Sequence, residues 1–444
     1  MKILDSNSSY LTFQWLGTFT LMYTFSDFNN KLTQGSGIGE LMHDLGAGLE
    51  QARRMNLEIS MLGGGNPAHI PAMEKIFQDR WKFLSAQKET LNRTLGDYSS
   101  PQGFLEFRER LANYLSKHLS YPLKASNLAI TQGSQSAFFM LLNSFAGSIA
   151  KEGKFQKILL PLVPEYIGYT DQGIQEGIFK SLLPIVRTTS KNRFVYEIDF
   201  AKLEACLKKE SIGAICLSRP TNPSGNLIPS EHMNRLLSIS RKFNVPLIVD
   251  NAYGYPFPNI TFDHSKLDWE PGMIQVLSLS KLGLPGLRTG IIVAEEEIAT
   301  RISEMSSILN LAPGNVGSLF VEDWLENDLI SEFSNDIIKP FYFQKSQFAL
   351  QQIDKHLGSK IDYSIHESLG ALFLWLYFPN HRYTSRQIYE KLKARGVFVI
   401  SGENFFPGLE EDFSHRKQCI RLTYSRNNEE VIRGIKILAE ELNL

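Results

Sequence analysis

The sequence predicts an α/β protein, with a large domain on a mostly parallel sheet and a smaller α+β domain after it. Three observations predict this. Between about residues 127 and 295, short apolar runs alternate with amphipathic stretches, and strand–helix alternation builds a parallel sheet covered on both faces. After about residue 320 the pattern changes to a long helical stretch and then a mixture of short strands and helices. The chain has 444 residues, more than a single core usually serves.

Taken in order, residues 11–25 (LTFQWLGTFTLMYTF) are apolar but shorter than the roughly 20 residues that span a bilayer. Lys2 is offset by Asp5 and no small-residue cleavage site follows, which argues against a secretory signal. Residues 1–24 are therefore read as an extension outside the fold, with Met22 a candidate start. A helical pattern over 37–49 is expected to pack near the smaller domain. The buried strands are NLAIT (127–131), KILLP (157–161), GAICLS (213–218), PLIVD (246–250), IQVLSLS (274–280) and TGIIVA (289–294). Each is short, β-branched in part and bounded by Gly, Pro, Asn or Asp. Helical patterns over 134–145 and 230–243 lie between them. Beyond come a helical stretch over 330–357, GALFLWLYF (370–378), a helix near 385–395, VFVIS (397–401), CIRLTY (419–424) and a last helix from Glu429. The chain thus divides into the extension 1–24, an N-terminal segment 25–70, a large domain 71–320 and a small domain 321–444.

Composition narrows the function. The formal net charge is -1, so no basic excess exists to hold nucleic acid or an anionic membrane. Cys206, Cys216 and Cys419 are an odd, widely spaced set, which fits a reducing, cytoplasmic setting better than a disulfide framework. The nine histidines lack metal spacing, and no metal site is expected.

Four motifs carry chemistry. In TQGSQSAFF (131–139) a strand ends, Gly133 permits a tight turn and a helix begins near Ser134, so free N–H groups and the helix dipole make an anion site. Alone, this is also what an ordinary Ser134 cap looks like. SRPTNPSGN (218–226) is a rigid loop in which Asn222 can aim its amide at a ligand, and one of its X–Pro bonds is a candidate cis bond. PLIVDNAYG puts Asp250 at the carboxyl end of a buried strand, the edge where open α/β sheets bind ligands, with Tyr253 three residues on; taken alone, a strand-end Asp also reads as a cap on the following turn. LSLSKLGLPGLRTG (277–290) ends an apolar run with Lys281; a lysine held near a sheet edge can serve as a nucleophile or Schiff-base former, while taken alone it reads as an exposed loop lysine.

In this fixed order the four motifs resemble the fold-type-I pyridoxal-phosphate enzymes of the aspartate aminotransferase superfamily. With LGGGNPA (62–68), PEYIGY (164–169) and NFFPGL (404–409), the chain looks like the valine–pyruvate aminotransferases within it, from about Phe25 to the C-terminus. The resemblance implies pyridoxal 5'-phosphate as cofactor, a seven-stranded-type large sheet, and a homodimer with shared active sites. It implies that Lys281 holds the cofactor as a Schiff base and shuttles a proton at Cα. It implies that Asp250 pairs with the pyridine nitrogen, Asn222 and Tyr253 with the phenolic oxygen, and that Tyr166 stacks on the ring. Ser134, Gln135, Ser278 and Arg288 match the phosphate cup, and Tyr98 in DYSSPQG is similar to a tyrosine that reaches the neighbouring subunit's phosphate. Arg421 matches the clamp on the substrate α-carboxylate, aided by Asn222 and by a backbone N–H of Gly65; otherwise Gly65 is a turn needing positive φ.

The reaction so implied exchanges the amino group between valine and pyruvate, giving 3-methyl-2-oxobutanoate and alanine. One methylene is worth only about 1–3 kcal/mol in a pocket, so other small neutral amino acids stay open as donors. A carbon–sulfur β-lyase or a decarboxylase on the same scaffold also stays open. A cofactor-sensing regulator would carry an added helix-turn-helix domain, and the residues ahead of the fold are few and not basic.

Overall fold

The computed structural model describes residues 24–33, 37–151, 153–263, 265–358 and 361–443. The expected extension lies, but for Thr24, outside them.

All six apolar runs are strands of one eight-stranded sheet. Its centre is Ile212–Ser218, in which every residue is buried, flanked in parallel by Lys154–Leu160 and Leu247–Asp250. Met273–Ser278 continues the parallel run beside Leu247–Asp250. Thr289–Val293 then runs antiparallel to both of its neighbours, Met273–Ser278 and Leu128–Gln132. Continuous apolar strands of this kind need cover on both faces. Part of that cover is Gly133–Phe145, which buries Ala137, Phe138, Met140, Leu141 and Leu142. Two three-residue strands, Gly147–Ile149 and Phe179–Ser181, both pair with Lys154–Leu160. They bring the sheet to eight strands rather than seven, and three residues carry no period by which to read them.

A second sheet has six strands in the order Ile400–Ser401, Cys419–Thr423, Phe373–Tyr377, Ser364–His366, Arg193–Glu197 and Ile185–Ser190. Its last two strands form a hairpin from within residues 71–320, paired in parallel to Ser364–His366. A division by chain position does not anticipate that exchange. The run 397–401 also splits. Val397–Phe398 pairs with Ser60–Met61, while Ile400–Ser401 joins the six-stranded sheet.

The helical stretch expected over 330–357 is present but not uniform. Leu329–Glu332 passes into a π-helical segment, Phe333–Ile338, and then into Lys339–His356. Pro340 stands at the start of the last piece and has no amide to donate, so the ladder widens just before it. The N-terminal helix is Gly37–Arg54. It is tied to the helix Ser385–Lys393: Asp44 accepts hydrogen bonds from Tyr389 Oη at 2.5 Å and Lys393 Nζ at 2.7 Å.

Candidate active site

Parallel strands end together, so their last side chains meet at one edge. Ser218 and Asp250 are register partners on adjacent strands, and Ser278 ends the next strand. Beside them the helix Gly133–Phe145 begins without a side-chain cap. Ser134 is thus not the cap, and the first N–H groups of the helix face a cavity of about 230 Å³. Gly133 has φ +81°, and a Cβ there would lie 2.4 Å from Arg288 Nη2. Arg288 itself has φ +48°, a conformation that costs a non-glycine residue free energy. No carboxylate pairs with Arg288 among the described residues. An unpaired guanidinium beside an uncapped helix start is an anion site.

Lys281 lies in the short turn Ser280–Leu282 that follows the strand Met273–Ser278. Its Nζ donates to the Gly65 carbonyl at 2.7 Å and lies 5.4 Å from the Tyr253 ring centre. Burial, then the positive charges of Arg421 and Arg288, push its amine down to about 8, against the pull of Asp250. The Asp250 carboxylate accepts from Tyr169 Oη at 2.9 Å and from the Ala252 amide at 3.1 Å. Burial pushes its carboxyl up to about 6, opposed by those two hydrogen bonds and by Lys281.

Arg421 comes from the second sheet and closes the cavity opposite the strand ends. Its Nη1 donates to Asn222 Oδ1 at 2.7 Å and its Nη2 to the Gly63 carbonyl at 2.7 Å. Its buried Nε has no partner. The guanidinium lies 4.1 Å from the Phe373 ring centre, and burial pushes it down to about 10.

The structure therefore brings Gly65, Ser134, Gln135, Tyr166, Asn222, Asp250, Tyr253, Ser278, Lys281, Arg288 and Arg421 around one cavity. Gln135 also donates to the Gly168 carbonyl at 3.3 Å. Ser278 Oγ donates to Ser280 Oγ at 3.0 Å. Gly65 is not in the left-handed region, so the alternative reading as a positive-φ turn is set aside. Tyr98 is not brought to this chain's cavity; it is 82% exposed. Arg219–Pro220, inside the Asn222 loop, is a cis bond.

Sequence reasoning missed five residues, three on the N-terminal helix and two in PEYIGY. Ile38, Met42 and Leu45 from the N-terminal helix line the cavity; helical period alone gives no direction in the assembled fold. Tyr169 reaches Asp250, whereas the motif PEYIGY that ends on it points by resemblance only to Tyr166. Glu165, in the same motif, is fully buried. It accepts from the Ser218 amide at 2.8 Å, Ser218 Oγ at 2.6 Å and the Tyr166 amide at 3.2 Å, and burial pushes it up to about 8. A carboxylate following the apolar run LLPLVP was the available signal.

An amine of lowered proton affinity, a buried carboxylate and an anion site, gathered at the carboxyl edge of a mostly parallel sheet, define a lysine-dependent α/β enzyme. The donor set fits pyridoxal phosphate: the anion site for its phosphate, Asp250 for its ring nitrogen and Lys281 for its aldehyde. The chain belongs to the class I and II aminotransferases, whose family model matches residues 75–438. The family depends on pyridoxal phosphate, and its substrates are amino and oxo acids. The chain is 43% identical to the valine–pyruvate aminotransferase of Escherichia coli, over 94% of this chain and 98% of that one. Among solved structures it is similar to a putative amino-acid aminotransferase from Psychrobacter arcticum, at 39% identity with a TM-score of 0.90, covering 95% of this chain and 98% of that one. It is also similar to valine-pyruvate aminotransferase from Salmonella typhimurium, at 40% identity with a TM-score of 0.82, covering 91% and 98%. Among the described residues no helix is long and apolar enough to cross a membrane, and no group of three or more His, Cys, Asp or Glu is arranged to hold a metal ion.

Proposed function

We propose that the protein exchanges the amino group between valine and pyruvate, yielding 3-methyl-2-oxobutanoate and alanine. The observation that carries the substrate class is the cavity's charge inventory. Lys281, Arg288 and Arg421 are its only cations among the described residues, and each has a use. Ile38, Met42 and Leu45 are left to face the substrate side chain, which suits a small uncharged group. The relatives named above point to valine within that class.

Arg421 grips the substrate α-carboxylate with two parallel N–H donors, exchanging its contact with Asn222 or Gly63 for the ligand, and Gly65 contributes at the same end. Lys281 would hold the cofactor through its aldehyde, and the same amine is placed to take the proton from the substrate Cα and to return it. Its lowered proton affinity suits both tasks. Pyridoxal phosphate, when bound, supplies an electron sink for the charge left at Cα. Asp250 would keep the ring nitrogen protonated, Asn222 and Tyr253 would hold the phenolic oxygen, and Tyr166 would cover the ring face. Ser134, Gln135, Ser278 and Arg288 would hold the phosphate.

The protein acts as a homodimer in the cytoplasm. Tyr98 and the nearby Leu311 are both exposed, at 82% and 57%; the loops that carry them are joined by Ser99 Oγ, which donates to the Pro313 carbonyl. This apolar surface suits a second copy, whose phosphate Tyr98 reaches. Three buried, unpaired cysteines fit a reducing compartment. The test is an amino-donor panel with pyruvate, following alanine formation. Valine and 2-aminobutyrate should lead and aspartate should be poor. Preference for a dicarboxylic donor, or pyruvate release from cysteine-type donors without amino transfer, removes the proposal.

A further inference from the structure

Asp250 faces the cavity with a second carboxyl sealed behind it. Glu165 is hydrogen-bonded to Ser218, the register partner of Asp250 on the next strand, and it does not line the cavity. Two close buried carboxyls do not ionise independently. Some feature of the fold must therefore place the negative charge on Asp250, the one that faces the ligand.

Tyr169 is placed to do so. Its ring is fully buried, packed on Phe138 and Tyr166 with centroids 4.9 and 5.4 Å away. Its hydroxyl donates to Asp250 Oδ2 at 2.9 Å, across 81 residues of chain. It does not line the cavity, so it meets the ligand only through Asp250. Burial, with Asp250 next, holds the phenol proton in place well above its usual range, so Tyr169 is a donor at every working pH. The Ala252 amide serves the other carboxylate oxygen.

We propose that Tyr169 is a positioning residue whose hydroxyl fixes Asp250 Oδ2, keeping that carboxylate ionised and aimed into the cavity at the cofactor's ring nitrogen. This rests on the reading that Asp250 meets that nitrogen. The other titratable groups facing Asp250 are Glu165, Cys216, Tyr166, Tyr253 and Lys281. Glu165 is raised to about 8 and Lys281 lowered to about 8, both apart from Asp250, which is raised to about 6. Without the Tyr169 hydroxyl, burial is opposed by one donor fewer and the Asp250 carboxyl rises further. On acidification, affinity for a protonated ring nitrogen then begins to fall at a higher pH.

The experiment is equilibrium dialysis of the full-length apoprotein with pyridoxal phosphate across the acid limb. Tyr169→Phe removes one oxygen and keeps the ring. It is expected to weaken binding at neutral pH by about tenfold, the scale of one charge-assisted hydrogen bond, and to move the acid midpoint upward. 3-Fluorotyrosine installed at position 169 is a stronger donor of nearly the same shape and is expected to move the midpoint downward, which carries the test even where the phenylalanine variant fails to fold. In an Asp250→Asn background, Tyr169→Phe should leave the midpoint where it was. A loss of affinity that is uniform in pH, or shifts of the same sign for both replacements, overturns the role of Tyr169 alone. An Asp250→Asn protein that binds with wild-type affinity and pH profile overturns the Asp250 reading as well.

Discussion

At the scale of single residues, the site works through groups that the fold leaves electrically unsatisfied. Arg421 shows this well. It is almost wholly buried, at 5% exposed, yet no carboxylate pairs with it among the described residues; it spends its donors on two neutral oxygens and leaves Nε without a partner. A buried cation in neutral surroundings is costly, and an arriving carboxylate relieves that cost. Arg421→Lys keeps the charge and loses the planar fork. We expect kcat/KM to fall by about ten- to a hundredfold for every amino acid tested, from the loss of about 1.5–3 kcal/mol of charged hydrogen bonding. Cofactor affinity should stay unchanged. Steady-state kinetics beside a pyridoxal phosphate titration checks both, and a selective loss for one donor would place Arg421 elsewhere.

Elements matter through their ends. The turn from the strand Leu128–Gln132 into the helix Gly133–Phe145 makes an anion site because it is uncapped and because Gly133 admits Arg288 closely. Gly133→Ala puts a methyl group 2.4 Å from Arg288 Nη2 at a φ of +81°. Left-handed backbone alone costs a residue with a Cβ roughly 1–2 kcal/mol. Apoprotein stability should fall by about that amount in thermal unfolding, and pyridoxal phosphate affinity should fall by at least about tenfold as Arg288 moves aside. Unchanged affinity would show that this turn does not hold the phosphate. At the other end of the site, the helix Gly37–Arg54 is tied to the helix Ser385–Lys393 by Asp44. Burial draws the Asp44 carboxyl up, but hydrogen bonds from Lys393 and Tyr389 outweigh it, and the net value lies below the ordinary 3.8. A carboxyl held low in the fold contributes stability above its unfolded value and loses that contribution as pH falls through its folded value. Amide exchange should therefore show this helix loosening below about pH 4. Asp44→Asn should make it loose at neutral pH and flatten the acid dependence. An equally steep acid limb in the variant would assign the loosening to other groups.

For the whole molecule, the proposed site takes groups from two chains. With Tyr98 on the outside of its own chain and Lys281 inside, the proposed dimer draws from both copies. Tyr98→Phe and Lys281→Ala, each expected to be impaired or inactive alone, should regain activity when mixed and allowed to exchange subunits. Random pairing leaves about half of the dimers with one intact site, so about a quarter of the wild-type sites should return. No recovery after proven exchange would confine Tyr98 to a local role.

The sequence by itself determined the six apolar strands of the larger sheet and the residues at their ends. Ile212–Ser218 and Met273–Ser278 are short apolar runs bounded by turn residues, and such local signals survive without knowledge of the partner strand. The tertiary structure alone decided who meets whom. Arg421 finds Asn222 from 199 positions away, and Lys281 finds Gly65 from 216. The hairpin of Ile185–Ser190 and Arg193–Glu197 leaves its neighbours in the chain to join the second sheet, and Tyr169 turns to Asp250 rather than to the cavity. Contacts between distant segments have no periodicity within either one. They are set when the two sheets and the N-terminal helix pack, which no single stretch of residues encodes.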